Sequence, residues 1–405
     1  MIAISTHSRV RLFDLILDII LLIIVLQGEL VRRITMKKFW TIALVALMVF
    51  GLTACASPEK EQETGKEGTG GEIALITDVG TIDDGSFNQG SWEGVQSYVK
   101  EHNEANKDKQ ISATYYRPST ANDDEYYNTI SKAIKDGKAK VIVTPGFLFN
   151  NAVFRAQKDF PDVNFIFVDS LPQENGDSEP VIGSNTNSLL YDEHESGFFA
   201  GYAAVKDGMT KLGFIGGYRV PAVEKYGIGY LYGADAAAKE LGVDVEVRYN
   251  YANTFEPKPE VQTLAAGWYA AGTEVIFASA GGAGNSVFAA AQAANKKSIG
   301  VDKDQSADSE TIITSAVKQL QGSVHAALKN HYEGKFEGGK ATTYGIANDS
   351  VGLPDKFDRF ETFTKADYDK IYADFKADKD GIRSSIPTTH ANDFSDLKLE
   401  KVKIV

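Results

Sequence analysis

The sequence predicts an α/β fold with two similar lobes, each a parallel sheet covered by helices on both faces. After a polar stretch, apolar runs rich in Val and Ile alternate with amphipathic stretches, an order that favours parallel sheets. In addition, residues 141–156 and 275–290 align without a gap at an offset of 134 positions (275 − 141). One residue out of that register, Val-Asp at 168–169 matches Val-Asp at 301–302. Convergence of two short strand–helix units is the alternative, but the shared order of elements favours duplication.

The pattern predicts the elements of each half in turn. In the first half, strands are predicted at residues 72–78, 111–117, 139–146 and 164–170, and helices at 91–104, 123–137 and 150–160. In the second half, strands are predicted at 211–217, 244–251, 274–281 and 298–302, and helices at 226–241, 260–272 and 285–296. We therefore expect an N-terminal lobe of residues 72–182 plus about 302–315, and a C-terminal lobe of residues 183–301 plus about 316–405.

Charge argues against a nucleic-acid partner. The chain has 405 residues and a formal net charge of −13. Residues 1–54 contain six Lys or Arg and three Asp or Glu, about +3, so the remainder is near −16. Phosphate contacts need clustered Lys and Arg, which makes an acidic body a poor nucleic-acid binder.

Residues 36–57 are typical of a secretory signal. Lys37 and Lys38 precede an apolar core at 39–50, and small residues follow. The ending Leu-Thr-Ala-Cys resembles a bacterial lipobox, in which the cysteine is acylated and becomes the mature N-terminus. Cys55 is the only cysteine in the chain. The sequence therefore predicts a signal peptide at 36–54 and a lipid anchor at Cys55, on the extracytoplasmic face of the cell membrane.

A second apolar run lies upstream, at residues 12–26, interrupted by Asp14 and Asp18. A lipobox signal belongs at the N-terminus, so we interpret Met36 as the true start and residues 1–35 as a non-native extension. An extra membrane helix is the alternative, because the run is nearly long enough to span a bilayer. Residues 55–71 are polar and rich in glycine, which predicts a flexible tether.

Candidate site residues follow the predicted strands. Asp78, Phe147, Asp169, Gly281 and Asp302 each come directly after an apolar run. Open parallel sheets bind ligands at the carboxyl ends of their strands, so two facing lobes would share one site. A turn or cap is the alternative role for each aspartate, and we assign that role to Asp83 and Asp84. The shared placement of the others favours a site.

Common catalytic and metal motifs are incomplete. Residues 281–287 lack the last glycine of a dinucleotide-binding motif, and residues 334–342 have Ala341 where a phosphate loop needs a hydroxyl. Residues 302–310 lack the glycine required in a calcium loop. None of the six histidines has a metal-binding spacing. We therefore expect that the protein is not an enzyme, has no catalytic residue, and binds no cofactor or metal.

The remaining chemistry suits a polar ligand with a flat face. Carboxylates accept hydrogen bonds from vicinal hydroxyls and ring N–H groups, and aromatic rings stack on a heterocycle. Lys318 follows the strand-like residues 311–317 and would neutralise nearby aspartates; an ordinary solvated lysine is the alternative. Composition alone does not separate a sugar from a nucleoside.

Residues 78–95, DVGTIDDGSFNQGSWEGV, resemble the signature of the basic membrane protein (Bmp) family of bacterial lipoproteins, the substrate-binding components of ABC-type nucleoside importers. The resemblance covers most of residues 72–350 and continues through GFLFNNAV, SGFFAGYAA, KLGFIGG, YANTF, AGGAGNSVF, IGVDKDQ and TSAVKQ. It implies a type I periplasmic-binding-protein fold, in which crossover segments form a hinge and the ligand cleft lies between two doubly wound lobes.

The resemblance also implies which residues would contact the heterocyclic base of a nucleoside. Asp78 and Asn88 would contact the base, Phe87 would stack on it, and Phe255 would stack from the other lobe. The sequence departs from the family pattern at Gly80-Thr81, at Gly85 and at residues 256–259.

At the ribose, the resemblance places Asp302 on the hydroxyls, with the backbone of Gly281 or Gly282 and the Lys318 side chain beside it. Asp169 would be a further ribose contact. The function implied is a monomeric, lipid-anchored binding protein that closes on a nucleoside and delivers it to ABC permease and ATPase subunits. A binding protein of the same fold for a sugar or another small polar ligand is the alternative.

Overall fold

The computed structural model describes residues 67–405 except residues 69 and 177. The predicted extension 1–35, the signal peptide 36–54, Cys55 and most of the tether 55–71 lie outside the described residues. The described residues belong to one compact unit. None of the helices in this part of the chain is long and apolar enough to cross a membrane.

Strands and helices alternate as the sequence predicts. The strands are β1 (Ile73–Ile76), β2 (Ala113–Tyr116), β3 (Val141–Pro145), β4 (Asn164–Val168), β5 (Thr186–Tyr191), β6 (Lys211–Gly216), β7 (Val245–Tyr251), β8 (Val275–Ser279), β9 (Lys297–Asp302), β10 (Ile312–Lys318), β11 (Lys340–Tyr344), β12 (Val351–Gly352) and β13 (Val402–Ile404). The helices are α1 (Phe87–Ala105), α2 (Asp123–Lys135), α3 (Asn150–Asp159), α4 (Glu193–Lys206), α5 (Pro221–Leu241), α6 (Pro259–Ala270), α7 (Gly284–Ala294), α8 (Leu320–Tyr332) and α9 (Lys365–Lys376).

The strands form two sheets, one in each lobe. The first has the order β11-β5-β4-β3-β1-β2, and the second β12-β10-β9-β8-β6-β7-β13. All neighbouring strands are parallel except β10 and β12. Their Val-, Ile- and Phe-rich segments are almost fully buried, as expected for sheets covered on both faces. The predicted α/β class with two parallel-sheet lobes is confirmed.

The internal similarity in sequence is matched in structure. The second copies of three elements start 134 positions after the first: β3 and β8, the 3₁₀ turns at 147–149 and 281–283, and helices α3 and α7. In both lobes the strand that ends in Val-Asp places its aspartate in left-handed backbone, with φ +68° at Asp169 and at Asp302.

The predicted lobe boundaries are wrong in detail. Strand β10 lies in the second sheet, because it pairs with β9 (Ser315 with Gly300), so residues 302–315 do not return to the first lobe. Instead, α8 covers the first sheet and β11 joins its edge beside β5. Strand β5 also belongs to the first sheet, beyond the predicted boundary at residue 182. The chain thus crosses between lobes after β5, after β10 and after β11.

Four glycines, Gly197, Gly201, Gly229 and Gly233, allow helices α4 and α5 to pack backbone to backbone. A Cβ at Gly201 would lie 2.0 Å from Tyr230 O, and a Cβ at Gly229 would lie 2.0 Å from His194 O. Only glycine permits so close an approach. The contact places the first turns of both helices beside the cleft between the lobes.

Candidate functional site

A cleft between the two lobes lies at the carboxyl ends of their strands. Eight of the nine predicted ligand-binding residues line it: Asp78, Phe87, Asn88, Asp169, Phe255, Gly281, Asp302 and Lys318. The space between the walls, including the part open to solvent, is about 680 Å³. Gly282 is not among the lining residues; a Cβ there would meet Phe255 O at 3.2 Å, so it faces the segment behind the cleft.

Asp78 and Asn88 form a reciprocal pair that lines the cleft. Asn88 Nδ2 donates to Asp78 Oδ1 at 2.9 Å, and the Asp78 backbone N–H donates to Asn88 Oδ1 at 3.3 Å. Asp78 Oδ1 also accepts from the Gly80 N–H at 2.8 Å. Burial raises the pKa of Asp78 to about 6. These contacts fix a carboxylate and an amide side by side.

Asp84 holds the Asp78–Asn88 pair in place through hydrogen bonds. Its carboxylate accepts from the backbone N–H groups of Ser86, Asn88 and Gln89 at 2.8–3.1 Å, which satisfies free donors at the start of α1. It also accepts from Asn88 Nδ2 at 2.9 Å. The predicted capping role of Asp84 is therefore confirmed, while Asp83 is exposed.

Two aromatic rings, one from each lobe, line the cleft. Phe87 is the first residue of α1, and Phe255 follows β7; both are partly exposed. Gly217 lies beneath the Phe255 ring, where a Cβ would be 2.2 Å from Cε1. Tyr218 meets the same ring edge to face, with the centroids 5.2 Å apart. Both rings are thus held facing the cleft.

A buried lysine also lines the cleft. The Lys318 side chain is 1% exposed, and its Nζ lies 2.5 Å from Asp169, 3.3 Å from Glu193 and 3.5 Å from Asp302. Nζ also lies 4.7 Å from the centroid of the Phe87 ring, a cation–π distance. The alternative of a solvated lysine is therefore wrong.

The charges of Lys318 and Glu193 stabilise each other, whereas the negative charge of Asp169 is disfavoured. Burial alone would lower the pKa of Lys318, but Asp169 and the other acidic neighbours raise it well above its ordinary value. Burial and the charge of Glu193 raise the pKa of Asp169 well above its ordinary value. Burial would likewise raise the pKa of Glu193, but Lys225 and Lys318 lower it to about 2. Lys318 and Glu193 therefore carry opposite charges at neutral pH.

Asp302 receives hydrogen bonds from both lobes. Ser86 Oγ donates to its Oδ2 at 2.6 Å, and Tyr226 OH donates to its Oδ1 at 3.3 Å. The left-handed backbone of Asp302 and Asp169 (φ +68° each) costs energy for a residue with a Cβ. Both carboxylates are aimed at the cleft by this turn.

The sequence did not reveal Tyr226, which lines the cleft, or three polar residues behind the lining: Ser86, Glu193 and Lys225. Lys225 Nζ donates to Tyr191 O at 2.8 Å and lies 3.1 Å from Glu193 Oε2. These residues do not follow an apolar run, and their partners are distant in sequence. Only Lys225 and Tyr226 could have been predicted from the sequence. They lie at the start of a predicted helix, and the first turns of such helices also face the carboxyl ends of strands.

Comparison with known proteins identifies relatives. The family described as "Bmp: ABC transporter substrate-binding protein PnrA-like" matches residues 72–377. A protein of Lactococcus lactis subsp. cremoris named ABC transporter nucleoside-binding protein BmpA is 32% identical over 337 residues, covering 78% of this chain and 91% of that protein. Basic membrane protein D of Borreliella burgdorferi is 28% identical over 331 residues, covering 80% and 88%.

Solved structures support the fold. An ABC transporter solute-binding protein from Aeropyrum pernix has a TM-score of 0.68 at 22% identity, covering 79% of this chain and 94% of that one. The predicted periplasmic-binding-protein fold is therefore confirmed, as is the resemblance in sequence. The chain belongs to the Bmp family of ABC transporter substrate-binding proteins.

Proposed function

We propose that this protein captures a nucleoside between its lobes and delivers it to the permease of an ABC transporter. The supporting observation is the combination of groups that face one cleft: the Asp78–Asn88 pair, the Phe87 and Phe255 rings, and the charged residues Asp169, Asp302 and Lys318. A nucleoside offers matching groups, a flat heterocycle joined to a hydroxylated ring. The name of the Lactococcus relative, a nucleoside-binding protein, agrees with this assignment.

At the base end, Asp78 and Asn88 supply complementary groups. Asp78 Oδ2 lies on the side of Gly146, where a Cβ would be 3.4 Å away, and it would accept from a ring N–H. The Phe87 and Phe255 rings would sandwich the heterocycle. At the other end, the Asp302 and Asp169 carboxylates would accept from the ribose hydroxyls, with the Gly281 backbone beside them.

Closure of the lobes is the proposed mechanism of capture. The three crossovers after β5, β10 and β11 would act as the hinge. A ligand that contacts Phe87 of one lobe and Phe255 of the other binds only the closed form fully, and it therefore shifts the population toward that form. Permease subunits would recognise the closed form. Neither step changes the ligand chemically, so we propose a binding protein without catalysis.

Membrane attachment completes the proposal. Acylation at Cys55 would hold the protein at the extracytoplasmic face, with residues 56–71 as the tether. Stable anchoring needs more than one acyl chain. Mass spectrometry of the mature N-terminus is expected to show a cysteine with two or three acyl chains; an unmodified N-terminus at another residue would contradict the anchor.

Titration calorimetry on the full chain tests ligand choice. The panel contains purine and pyrimidine nucleosides, free bases, ribose, hexoses and amino acids. We expect a nucleoside to bind most tightly, and Asp302→Asn and Phe87→Ala to weaken its binding by about tenfold to 100-fold, the range for a hydrogen bond to a charged group or a buried aromatic contact. Asp244→Asn is the matched control, because Asp244 pairs with Lys401 at 3.0 Å outside the cleft.

Two outcomes would contradict the proposal. Unchanged affinity in both cleft variants would remove the site assignment. Binding of ribose or a hexose, with no response to any nucleoside, would favour the sugar-binding alternative.

A further inference from the structure

We infer that residues 302–308, the loop after β9, form a clasp that holds the closed lobes together and sets how long a bound nucleoside stays. The inference rests on the proposed capture of a nucleoside and concerns residues beside the ligand wall. We call residues 302–308 the clasp loop. It belongs to the second lobe, and it meets residues 85–93 at the start of α1 in the first lobe.

Three contacts join the clasp loop to the first lobe. Ser86 Oγ donates to Asp302 Oδ2 at 2.6 Å, and Gln305 Nε2 donates to Gly85 O at 3.1 Å. Lys303 Nζ lies 2.7 Å from Glu93 Oε1. Two of these contacts involve Gly85 and Ser86, directly before α1, and the third involves Glu93 in its second turn. Opening of the cleft would break all three together.

The clasp loop is ordered by its own lobe. Gln305 is 2% exposed, its Oε1 accepts from the Val301 N–H at 2.7 Å, and its own N–H donates to Ser315 Oγ at 3.1 Å. Lys356 pairs with Asp304 at 2.8 Å. These bonds leave the Gln305 NH₂ group pointing at the first lobe. Because the loop is already fixed, little conformational entropy is lost when the contacts form.

The first lobe presents a matching surface. Gly85 has φ +73°, a left-handed turn that exposes its carbonyl, and a Cβ there would lie 3.3 Å from Asp308 Oδ2. Gln89 connects this turn to the ion pair, since its Oε1 accepts from the Gly85 N–H at 2.9 Å and its Nε2 donates to Glu93 Oε1 at 2.8 Å. The turn and Glu93 are thus positioned as one unit.

Most of the clasp lies outside the ligand cleft. Lys303, Gln305 and Glu93 do not line the cavity, whereas Asp302 does. Their contacts therefore stabilise the closed form whether or not a ligand is present, and their loss speeds opening. Differences in affinity between related complexes mostly reflect dissociation. Lys303, Gln305 and Glu93 are consequently positioning residues for closure.

A charge-swap experiment on the full chain isolates the Lys303–Glu93 pair. We expect Lys303→Glu and Glu93→Lys each to raise the dissociation rate of adenosine, measured by stopped flow, by about threefold to tenfold. The association rate stays within twofold. In the double variant the pair is restored with opposite polarity, and the dissociation rate returns toward that of the wild type. Lys140→Glu is the matched control, because Lys140 pairs with Glu72 at 2.6 Å within the first lobe.

Hydrogen exchange without any ligand provides a readout independent of nucleoside binding. Lys303→Glu is expected to speed amide exchange at residues 85–93, in the opposite lobe, and Lys140→Glu is not. If adenosine fails to bind the wild type while this cross-lobe effect is present, the clasp is supported and the nucleoside assignment is contradicted. If adenosine binds but exchange and dissociation are unchanged in both single variants, or the double variant is worse than both, the clasp is overturned.

Discussion

At the scale of single residues, the buried carboxylate of Asp78 has a cost to stability. Burial raises its pKa from 3.8 to about 6, so the folded chain binds the proton more tightly than the unfolded chain does. The stability that this raised pKa contributes is fully present below pH 3.8 and is lost as the pH rises through about 6. At pH 8 the buried carboxylate therefore costs about 3 kcal/mol, because each tenfold change in proton affinity corresponds to about 1.36 kcal/mol.

Asp78→Asn separates these two effects. At pH 8 we expect its melting temperature to exceed that of the wild type, because the buried charge is gone, and its nucleoside affinity to fall at least about tenfold. Near pH 4 the difference in melting temperature shrinks. The exposed Asp83→Asn is the control for both measurements. A variant that is less stable than the wild type at pH 8 would contradict the assignment of Asp78 as a destabilising buried charge.

Some site residues are predictable from the local sequence, and others are not. Asp78, Asp169 and Asp302 were predictable because each follows an apolar strand, and a strand end has a fixed place in an α/β lobe. Glu193, the third acidic partner of Lys318, was not predictable: it lies 125 positions away from the lysine, and no local pattern links them. Gly282 was predicted as a ligand contact, but only one of two adjacent glycines can face the cleft.

At the scale of elements, capping and burial explain where helices differ from the pattern. Helix α1 begins at Phe87, four residues before the predicted start at Ser91, because the Asp84 carboxylate satisfies its first N–H groups. Helix α5 begins at Pro221, where proline suits the first helical position. Helix α4 was not predicted, since nearly every residue of it is buried and it has no polar face to show a helical period.

The α4–α5 contact gives a prediction about packing. Gly229→Ala would place its Cβ 2.0 Å from His194 O, and neither backbone can move freely, so we expect a loss of about 1–3 kcal/mol or more. Gly267→Ala is the matched control in α6: no atom lies within 4 Å of its Cβ, so helix propensity should stabilise it by up to about 1 kcal/mol. Urea unfolding measures both. Equal changes in the two variants would contradict the packing argument.

At the scale of the whole molecule, the crossovers contain an acidic group that titrates near neutrality. Glu195 lies in the first turn of α4, directly after the first crossover, and its Oε2 accepts from the Ile346 N–H of the third crossover at 2.6 Å. Burial raises the pKa of Glu195 to about 7; Ile346 and Arg383 oppose this, and Asp192 adds to it. The stability from this raised pKa is present below pH 4.5 and is lost as the pH rises through about 7.

Glu195→Gln keeps the acceptor for Ile346 and removes the titration. Thermal unfolding is therefore expected to show equal melting temperatures for variant and wild type near pH 4, and a higher one for the variant at pH 8. Glu104→Gln, on the exposed face of α1, controls for the loss of a negative charge. A variant that melts lower than the wild type at pH 8 would show that the ionised carboxylate stabilises the crossovers.

The sequence predicted the two-lobed architecture correctly, but it did not predict where the chain crosses between the lobes. Alternating strands and helices indicated two lobes, because each element has a local period. Residues 302–315 belong to the second lobe because β10 pairs with β9. Predicting this pairing would require choosing between two sheets with similar apolar edges. Local pattern does not decide such a choice.

The late crossovers have a consequence for folding. Strand β11 pairs with β5 across 153 positions (Lys340 with Asn187), and β13, at residues 402–404, covers the edge of β7. A chain that emerges from its N-terminus first would leave the β5 edge open until residue 344 is free and the β7 edge open until residue 404 is free. Because long-range pairings of this kind form slowly, the second lobe is expected to be completed after the first.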